Sequence, residues 1–369
     1  MYAFKRNEIV ILLGAGASVD AGIPHSGEMI RQVEKLVKED RDWERFRDIY
    51  NFMRSSIYHS DGVRGRFGDE VNYNIERLVN TLEEIRKKQE HTLYPFVGAW
   101  NPTLVELAGR NFALVGELSS AIVKKLRQQW IALEDYGSAD YFRGLIDFQA
   151  NYQHPLRVFT LNYDLCVEKA CAGVALERGF NSHTRKWDWR QFDDNDNDPR
   201  AIFLYKLHGS NDWTYDKVGS LTFYDETSRI EDHAAAIIFG TTYKLQHRDP
   251  FLFLAYEFRR WTLEARIIVC IGYGFGDEHI NKIIQQALNG DEHRLLLSVS
   301  PLFSQNLEAA RAQKQRMIAQ AIEHDNLNQI VCCDSFARDF IKNQLTLDYL
   351  ASLFPCSDEN ELFPIVRNE

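Results

Sequence analysis

The sequence contains no Cys-x-x-Cys pair. Zinc ribbons and knuckles are built from such pairs, so a zinc-stapled module is not expected. The six cysteines, Cys166, Cys171, Cys270, Cys332, Cys333 and Cys356, are scattered, and those inside apolar patterns read as buried free thiols. A Gly-x-x-x-x-Gly-Lys-Ser/Thr loop is also missing, which excludes a P-loop ATPase. No apolar run approaches membrane-spanning length. Lys5 and Arg6 precede an apolar stretch as in a signal peptide, but Gly14, Gly16 and Asp20 cut it short. That stretch reads as a strand and turn, and a cytoplasmic location is the expectation. Positive charge is in short supply, with a formal net charge of -10. This argues against a general nucleic-acid binder, which needs a cationic footprint, while leaving room for a local basic patch.

What is present is ordinary for a globular chain: 369 residues, 45% hydrophobic and 26% charged. That length suggests one large or two modest domains. Short β-branched and aromatic runs predict strands at Ile9 to Leu13, Arg157 to Leu161, Ile202 to Leu207, Ala265 to Ile271, Leu295 to Val299 and Gln329 to Cys332. They are apolar without alternation, as in a parallel sheet covered on both faces. Helical patterns separate most of them. Asp277 can cap a helix with a stripe at Ile280, Ile283, Ile284, Ala287 and Leu288, and Ser335 can cap one through Phe336, Phe340, Leu345 and Leu350. The fold class is α/β, a Rossmann-like doubly wound parallel sheet.

A helical insertion from about residue 27 to 154 separates core segments 1–26 and 155–369, within one nucleotide-binding domain. Ile75, Leu78, Val79, Leu82 and Ile85 mark one amphipathic face. Leu104 to Leu133 reads as a long helix, apolar on more than one side, while Gly62, Gly65 and Gly68 suggest loops between Asp40 and Tyr73. The insertion could cover the nucleotide cleft or form subunit contacts. Asp194, Asp196 and Asp198 have calcium-loop spacing, but Pro199 stands at the glycine position and Tyr205 where the closing Glu should be. A solvated loop is the better reading.

In open α/β sheets ligands bind at the carboxyl ends of strands, and three strand ends carry polar groups there. The first runs into Gly14-Ala15-Gly16-Ala17-Ser18, followed by Gly22-Ile23-Pro24. Glycines of this kind let the backbone approach a pyrophosphate, a following helix N-terminus offers N–H donors, and Ser18 can donate a hydroxyl. The second ends in Thr160-Leu161-Asn162-Tyr163-Asp164 and the third in Leu207-His208-Gly209-Ser210. Each has a plainer explanation: a tight turn, a helix cap at Asp164, a buried histidine bonded to backbone. Their joint occurrence in this order resembles the sirtuin-like family, whose members bind NAD and cleave its nicotinamide–ribose bond.

That resemblance implies roles residue by residue. Asn162 would sit near the nicotinamide ribose and position a water beside the anomeric carbon. His208 would act as general base on the ribose hydroxyls, and Asp164 would support the nicotinamide pocket. Gly14, Ala15, Gly16 and Ser18 would face the phosphates. Gly272-Tyr273-Gly274-Phe275-Gly276-Asp277 resembles the family's later glycine loop, making Gly272, Gly274 and Phe275 binding candidates. Ser298, Ser335 and Phe336 end later strands, where the adenosine half would lie. Departures matter as well. Protein deacylases of the family carry two Cys-x-x-Cys pairs after the His motif, whereas Ser210 to Ala265 holds no cysteine, and the expected acidic-Phe-Arg after Gly-Ile-Pro is His25-Ser26-Gly27. The chain therefore resembles the bacterial sirtuin-like NAD hydrolases of antiphage defence, including those that assemble with a HerA-like ATPase. The expectation is an NAD glycohydrolase with NAD as substrate, no zinc and a homo-oligomeric state, without membrane attachment. The alternatives are an NAD-dependent deacylase, a non-catalytic NAD or ADP-ribose sensor and, weakest, a dehydrogenase, whose glycine spacing differs.

Overall fold

A computed structural model describes residues 3–68, 71, 73–87, 102–109, 112–174, 176–194, 201–239 and 249–354. Five-residue runs of buried side chains form the central strands β1 (Ile9–Leu13), apolar throughout, and β2 (Leu156–Thr160), in which Arg157 and Thr160 are buried among apolar residues. A two-residue edge strand, β3 (Leu176–Glu177), and β4 (Ile202–Lys206) continue that side of the sheet. A separate three-stranded antiparallel sheet follows, of β5 (Gly209–Tyr215), β6 (Leu221–Phe223) and β7 (Ala235–Ile237). The chain then returns to the main sheet with β8 (Ile267–Ile271), β9 (Leu295–Val299) and β10 (Ile330–Cys333). The seven-stranded order is β10-β9-β8-β1-β2-β4-β3, and every pairing in it is parallel.

This is the doubly wound arrangement anticipated from the apolar runs. From β1 the chain moves outward on one side through β2 to β4, then restarts on the other side at β8. The crevice outside the carboxyl ends of β1 and β8 is thus the topological switch point, where α/β sheets bind ligands. Alternate residues of β1 feed opposite layers: Ile9, Ile11 and Leu13 enter one apolar cluster, Val10 and Leu12 the other. Both faces being covered, apolar residues are favoured at both sets of alternate positions, which is why alternation is missing.

Between β1 and β2 lie helices α1 (Ser26–Glu39), α2 (Arg47–Val63), α3 (Ile75–Lys87), α4 (Pro102–Ala108), α5 (Ala113–Lys125) and α6 (Gly144–Tyr152). The apolar faces of α1 to α5 build a third core around Val33, Tyr50, Leu78, Leu118 and Leu126, whereas Leu145, Phe148 and Tyr152 of α6 join the cluster of Ile9, Ile11 and Leu13. The helix expected over Leu104 to Leu133 is interrupted. Gly109 (φ 73°) and Phe112 (φ 54°) turn left-handed between α4 and α5, and Leu126–Trp130 forms a π-helical turn. Gly62, expected in a loop, lies inside α2, and the chain turns instead at Gly65 (φ 76°). Trp130 is buried, with Nε1 donating to Gln32 Oε1 at 2.6 Å, so it completes this core. Trp100 and the Asp196–Asp198 part of the acidic stretch fall outside the described residues.

Short α7 (Cys166–Ala170) follows β2, and α8 (Gln191–Asp194) lies beyond β3. Helices α9 (Phe251–Glu264), α10 (Glu278–Asn289) and α11 (Leu307–Ile322) cover the second apolar cluster. Asp277 caps α10 as expected, its carboxylate accepting from His279 N and Ile280 N. Ser335 caps nothing: its hydroxyl donates to Phe336 O and accepts from Gln344 Nε2. The helix predicted there is broken into α12 (Ala337–Asp339), a π turn (Phe340–Gln344) and α13 (Leu347–Ser352), the last capped by Thr346. Among the described residues no helix is long and apolar enough to cross a membrane.

Two loops meet backbone to backbone at the switch point. Gly16 N donates to Gly272 O at 2.8 Å, and Gly14 N donates to Ile271 O at 2.9 Å. A Cβ at Gly272, whose φ is 65°, would stand 2.1 Å from Ala17 N. One at Gly14 would meet Tyr273 Cα at 2.5 Å. Gly272→Ala should therefore cost about 1–3 kcal/mol of stability through backbone strain and displacement. At Gly274 a Cβ meets nothing within 4 Å, so Gly274→Ala should melt close to wild type. Thermal unfolding of both variants checks the contrast. Burial also pushes the Cys171 thiol up to about 12, and raises Cys166 and Cys270 further. Thiol labelling of the native protein at neutral pH should spare these three while reaching the partly exposed Cys332 and Cys333.

Candidate active site

A cavity of about 620 Å³ lies over the carboxyl ends of β1, β2, β4 and β8, within the range of small-molecule sites. Ala15, Gly16, Asn162, Asp164, His208 and Gly272 all line it. The three strand-end motifs thus converge on one space. At its far side Ser300, Ser335, Phe336 and Lys314 contribute from the ends of β9 and β10 and from α11.

Asn162 is placed by the ladder that precedes it. Leu161 N donates to Leu13 O at 3.0 Å, which prolongs the β1–β2 register past the strand end. Asn162 N donates to Thr160 Oγ1 at 3.0 Å, and Nδ2 donates to Gly14 O at 2.9 Å and Ser18 Oγ at 3.0 Å. Both amide hydrogens are thus committed to the Gly-rich loop, and the carbonyl oxygen is the end left to serve the cavity. Ser18 is fully buried beneath Asn162, so it orients the amide from below and does not line the cavity. The loop itself forms 3-10 turns at Ala15–Ala17 and Val19–Ala21, not the α-helix expected to follow it. The helix arrives only at Ser26, capped by His25, whose Nδ1 accepts from Gly27 N and Glu28 N. Among the described residues no α-helix begins directly after the Gly14–Ser18 turn.

Asp164 is buried, and its Oδ1 accepts from Cys166 N at 3.0 Å, so it both tops α7 and lines the cavity. Its carbonyl is held by the buried Lys206, whose Nζ also donates to Glu168 Oε1 at 2.8 Å. Arg178 extends this buried charge group to Asp212 at 2.6 Å. Burial alone would raise the Asp212 pKa, but Arg178 and Lys206 hold it below the ordinary carboxylate value.

His208 stands where the chain leaves the parallel sheet. Leu207 N donates to Thr160 O, while His208 O accepts from Ile238 N at 2.8 Å, already joining the antiparallel sheet. Gly209 makes the turn possible, with φ 85° and a Cβ position 2.0 Å from Ala236 O. The imidazole Nε2 lies 3.1 Å from Asp277 Oδ2, and both side chains are buried. Taking two ionisable groups out of water costs several kcal/mol per ion unless they pair, so the contact holds each in place. Asp277 therefore serves the α10 cap with one oxygen and His208 with the other.

From sequence Asp277 is legible as a helix cap and as the end of the glycine loop, but not as the partner of His208. Sequence reasoning also missed Tyr163, whose ring lies beside the imidazole (centroids 6.4 Å apart) and whose hydroxyl donates to Ile238 O at 2.8 Å. Burial raises the Tyr163 pKa well above its ordinary value, with the negative charges of Glu76 and Asp277 adding to the effect. Glu76, from the start of α3, lines the cavity too. The Asn162–His208 end is thus acidic, through Glu76, Asp164 and Asp277, while Lys314 lines the opposite end. Besides Ser18, three candidates sit outside the lining. Gly14 holds Asn162, Ser298 is buried within β9 opposite Cys270 and Cys332, and Phe275 is buried against Tyr273 with rings 4.6 Å apart. Ser300, two residues beyond Ser298, reaches the cavity instead. Phe336 is half-exposed at the rim and meets Phe303 edge-on at 6.3 Å.

Residues 156–323 match the family described as a SIR2-like domain. No curated protein matches the chain. Among solved structures, a Sir2 homologue mutant in complex with 2′-O-acetyl ADP-ribose is 11% identical with a TM-score of 0.41, covering 95% of this chain and 94% of that one. A Sir2 homologue in complex with NAD is 14% identical with a TM-score of 0.38, covering 94% and 90%. The family match starts at β2 and leaves β1, its Gly-rich loop and the helices up to α6 outside. The matched stretch runs from β2 through α11 and includes Asn162, His208 and Asp277.

Proposed function

We propose that the chain is an NAD glycohydrolase, converting NAD and water into nicotinamide, ADP-ribose and a proton. The observation that carries this reading is the convergence of Asn162 and a carboxylate-paired His208 on one cavity at the switch point. Sir2 homologues have been solved with NAD and with 2′-O-acetyl ADP-ribose bound. The charge layout also suits the substrate. The nicotinamide ring of NAD is cationic, and Glu76, Asp164 and Asp277 surround the end where Asn162 and His208 stand. Lys314 at the other end suits the anionic half, and the half-exposed Phe336 suits an adenine face.

The reaction needs positioning more than a strong nucleophile. As the C1′–N bond breaks, its electron pair returns to the nicotinamide ring and positive charge passes to the ribose. Carboxylates beside that position stabilise the developing cation. The Asn162 carbonyl oxygen, fixed by the two Nδ2 bonds, can hold a water at the anomeric carbon. A neutral His208 donating from Nε2 to Asp277 keeps Nδ1 as acceptor for a ribose hydroxyl proton. The cysteine-free span from Ser210 to Ala265 favours this hydrolase over a protein deacylase. Incubation with NAD should release nicotinamide and ADP-ribose. Asn162→Ala, His208→Ala and Asp277→Asn should each lower turnover by about 10²–10⁴-fold with the fold retained. Acyl-peptide-dependent turnover yielding acetyl-ADP-ribose would establish a deacylase instead, and NAD binding without turnover a sensor.

We further infer that the protein is a cytoplasmic antiphage defence effector that depletes NAD, and that it works as a homo-oligomer with a HerA-like ATPase. An unrestrained NAD hydrolase is toxic to its host, so control by assembly fits the activity. Tyr58, Val63 and Phe67, exposed around the end of α2, are apolar side chains that an assembly contact would cover. Light scattering over a concentration series, with and without such an ATPase, should show self-association; a strict monomer fully active alone would refute control by assembly.

A further inference from the structure

We propose that Arg127, in the helical insertion, is a positioning residue for the site and that through it the insertion sets the geometry of the Asn162 and His208 loops. The inference rests on the cavity being the place of NAD cleavage. Arg127 sits on the π turn Leu126–Trp130 that prolongs α5, where Ile131 N reaches back to Leu126 O at 3.0 Å. Such widened turns frequently mark functional positions. The Arg127 side chain is only 3% exposed. Burial lowers its pKa, and Asp232 at 3.3 Å works in the opposite direction.

A buried cation of this kind persists only when its donors are matched. Nε donates to Asn211 Oδ1 at 3.0 Å, and one terminal nitrogen to Ile230 O at 3.0 Å. The other reaches Asn211 O and Thr227 O, each at 3.4 Å. Asn211 answers with Nδ2 donating to Arg127 O at 3.2 Å, so the two residues clasp each other through side chain and backbone.

Asn211 lies on β5, three residues after His208. Its N–H donates to Tyr163 O at 2.9 Å, and Tyr163 adjoins Asn162. One asparagine therefore touches the insertion through Arg127, the His208 strand through its own backbone, and the Asn162 loop through Tyr163. A shift of the π turn moves Asn211, and with it both loops. Arg127 does not itself line the cavity, so its effect on chemistry passes through Asn211.

The test uses full-length protein in the assembly state in which wild type cleaves NAD. Arg127→Met and Asn211→Ala should each lower kcat at least about tenfold, since misplacing reacting groups by about 1 Å can cost about 100-fold. ADP-ribose affinity should change less than about threefold, because the phosphate and adenosine contacts are elsewhere. The double variant should be no slower than the worse single, as expected of two residues acting as a unit. Arg127→Lys, able to keep one of the bonds, should fall between. Leu350→Ala, buried on α13 in the other apolar layer and away from Tyr163, should lower Tm while holding kcat near wild type. Near-wild-type kcat in Arg127→Met well below its Tm, or an equal kcat loss in Leu350→Ala, would overturn the proposal. If Arg127→Met fails to fold, Asn211→Ala decides. Wild type that never cleaves NAD refutes the hydrolase reading; active wild type with an active Asn211→Ala refutes only this coupling.

Discussion

The approach of the Gly14–Ala17 loop to Gly272, with a backbone hydrogen bond at 2.8 Å, constrains the whole carboxyl edge of the sheet. Any side chain at Gly14, Gly16 or Gly272 would occupy space filled by the other loop's backbone. Because the loops close in this way, Gly14 O stands where Asn162 Nδ2 can reach it at 2.9 Å. The amide is thereby turned so that its oxygen, not its nitrogen, is available to the cavity. Glycines that look like a phosphate cradle in the sequence are required first by packing between neighbouring strand ends. A dinucleotide could use the same loop only because that packing has already given it a bare, ordered backbone.

His208 depends on a second constraint, the change from parallel to antiparallel pairing within a few residues. Lys206 still pairs with Thr160 in the main sheet, whereas Gly209 pairs with Ile237 in the small one. The histidine sits at that elbow, its backbone carbonyl already bonded to Ile238. Its ring is then fixed by Asp277 from across the switch point, so the imidazole bridges the two halves of the doubly wound sheet. Losing the Asp277 side chain would leave both the α10 terminus and a buried histidine without their shared acceptor, coupling local stability to site geometry.

The legibility of this chain follows from burial. Strands covered on both faces are mostly apolar on both sets of alternate positions, so β1 and β9 can be read to the residue, and β2, β4, β8 and β10 within two residues at each end. Strand ends place polar residues predictably, which is why Asn162, Asp164 and His208 were found to share a cavity. The small sheet escaped notice because Gly209-Ser210-Asn211-Asp212 carries no apolar run and its partners span three residues each. Helix breaks at Gly109 and the π turns depend on tertiary contacts that periodicity does not report. The Asp277–His208 pair was hidden for another reason. A capping aspartate explains itself locally, and nothing in its neighbourhood of sequence shows that its second oxygen faces a residue on another strand.

The insertion is the part whose relation to the site was least readable, because an amphipathic pattern gives a buried face without giving its partner. Its core answers the question physically. The apolar cluster that gathers Val33, Leu78 and Leu118 also includes Tyr163 and Phe239, which line the cavity. The ring beside His208 is thus packed against the insertion on one side and the site on the other. Removing the helices would expose Tyr163 and leave Asn211 without its clasp to Arg127. An insertion that shares a core with the site cannot be a passive appendage on it: its packing energy is spent partly on holding the residues that face the cavity. Whatever displaces those helices must repack Tyr163, and so must change the surroundings of His208.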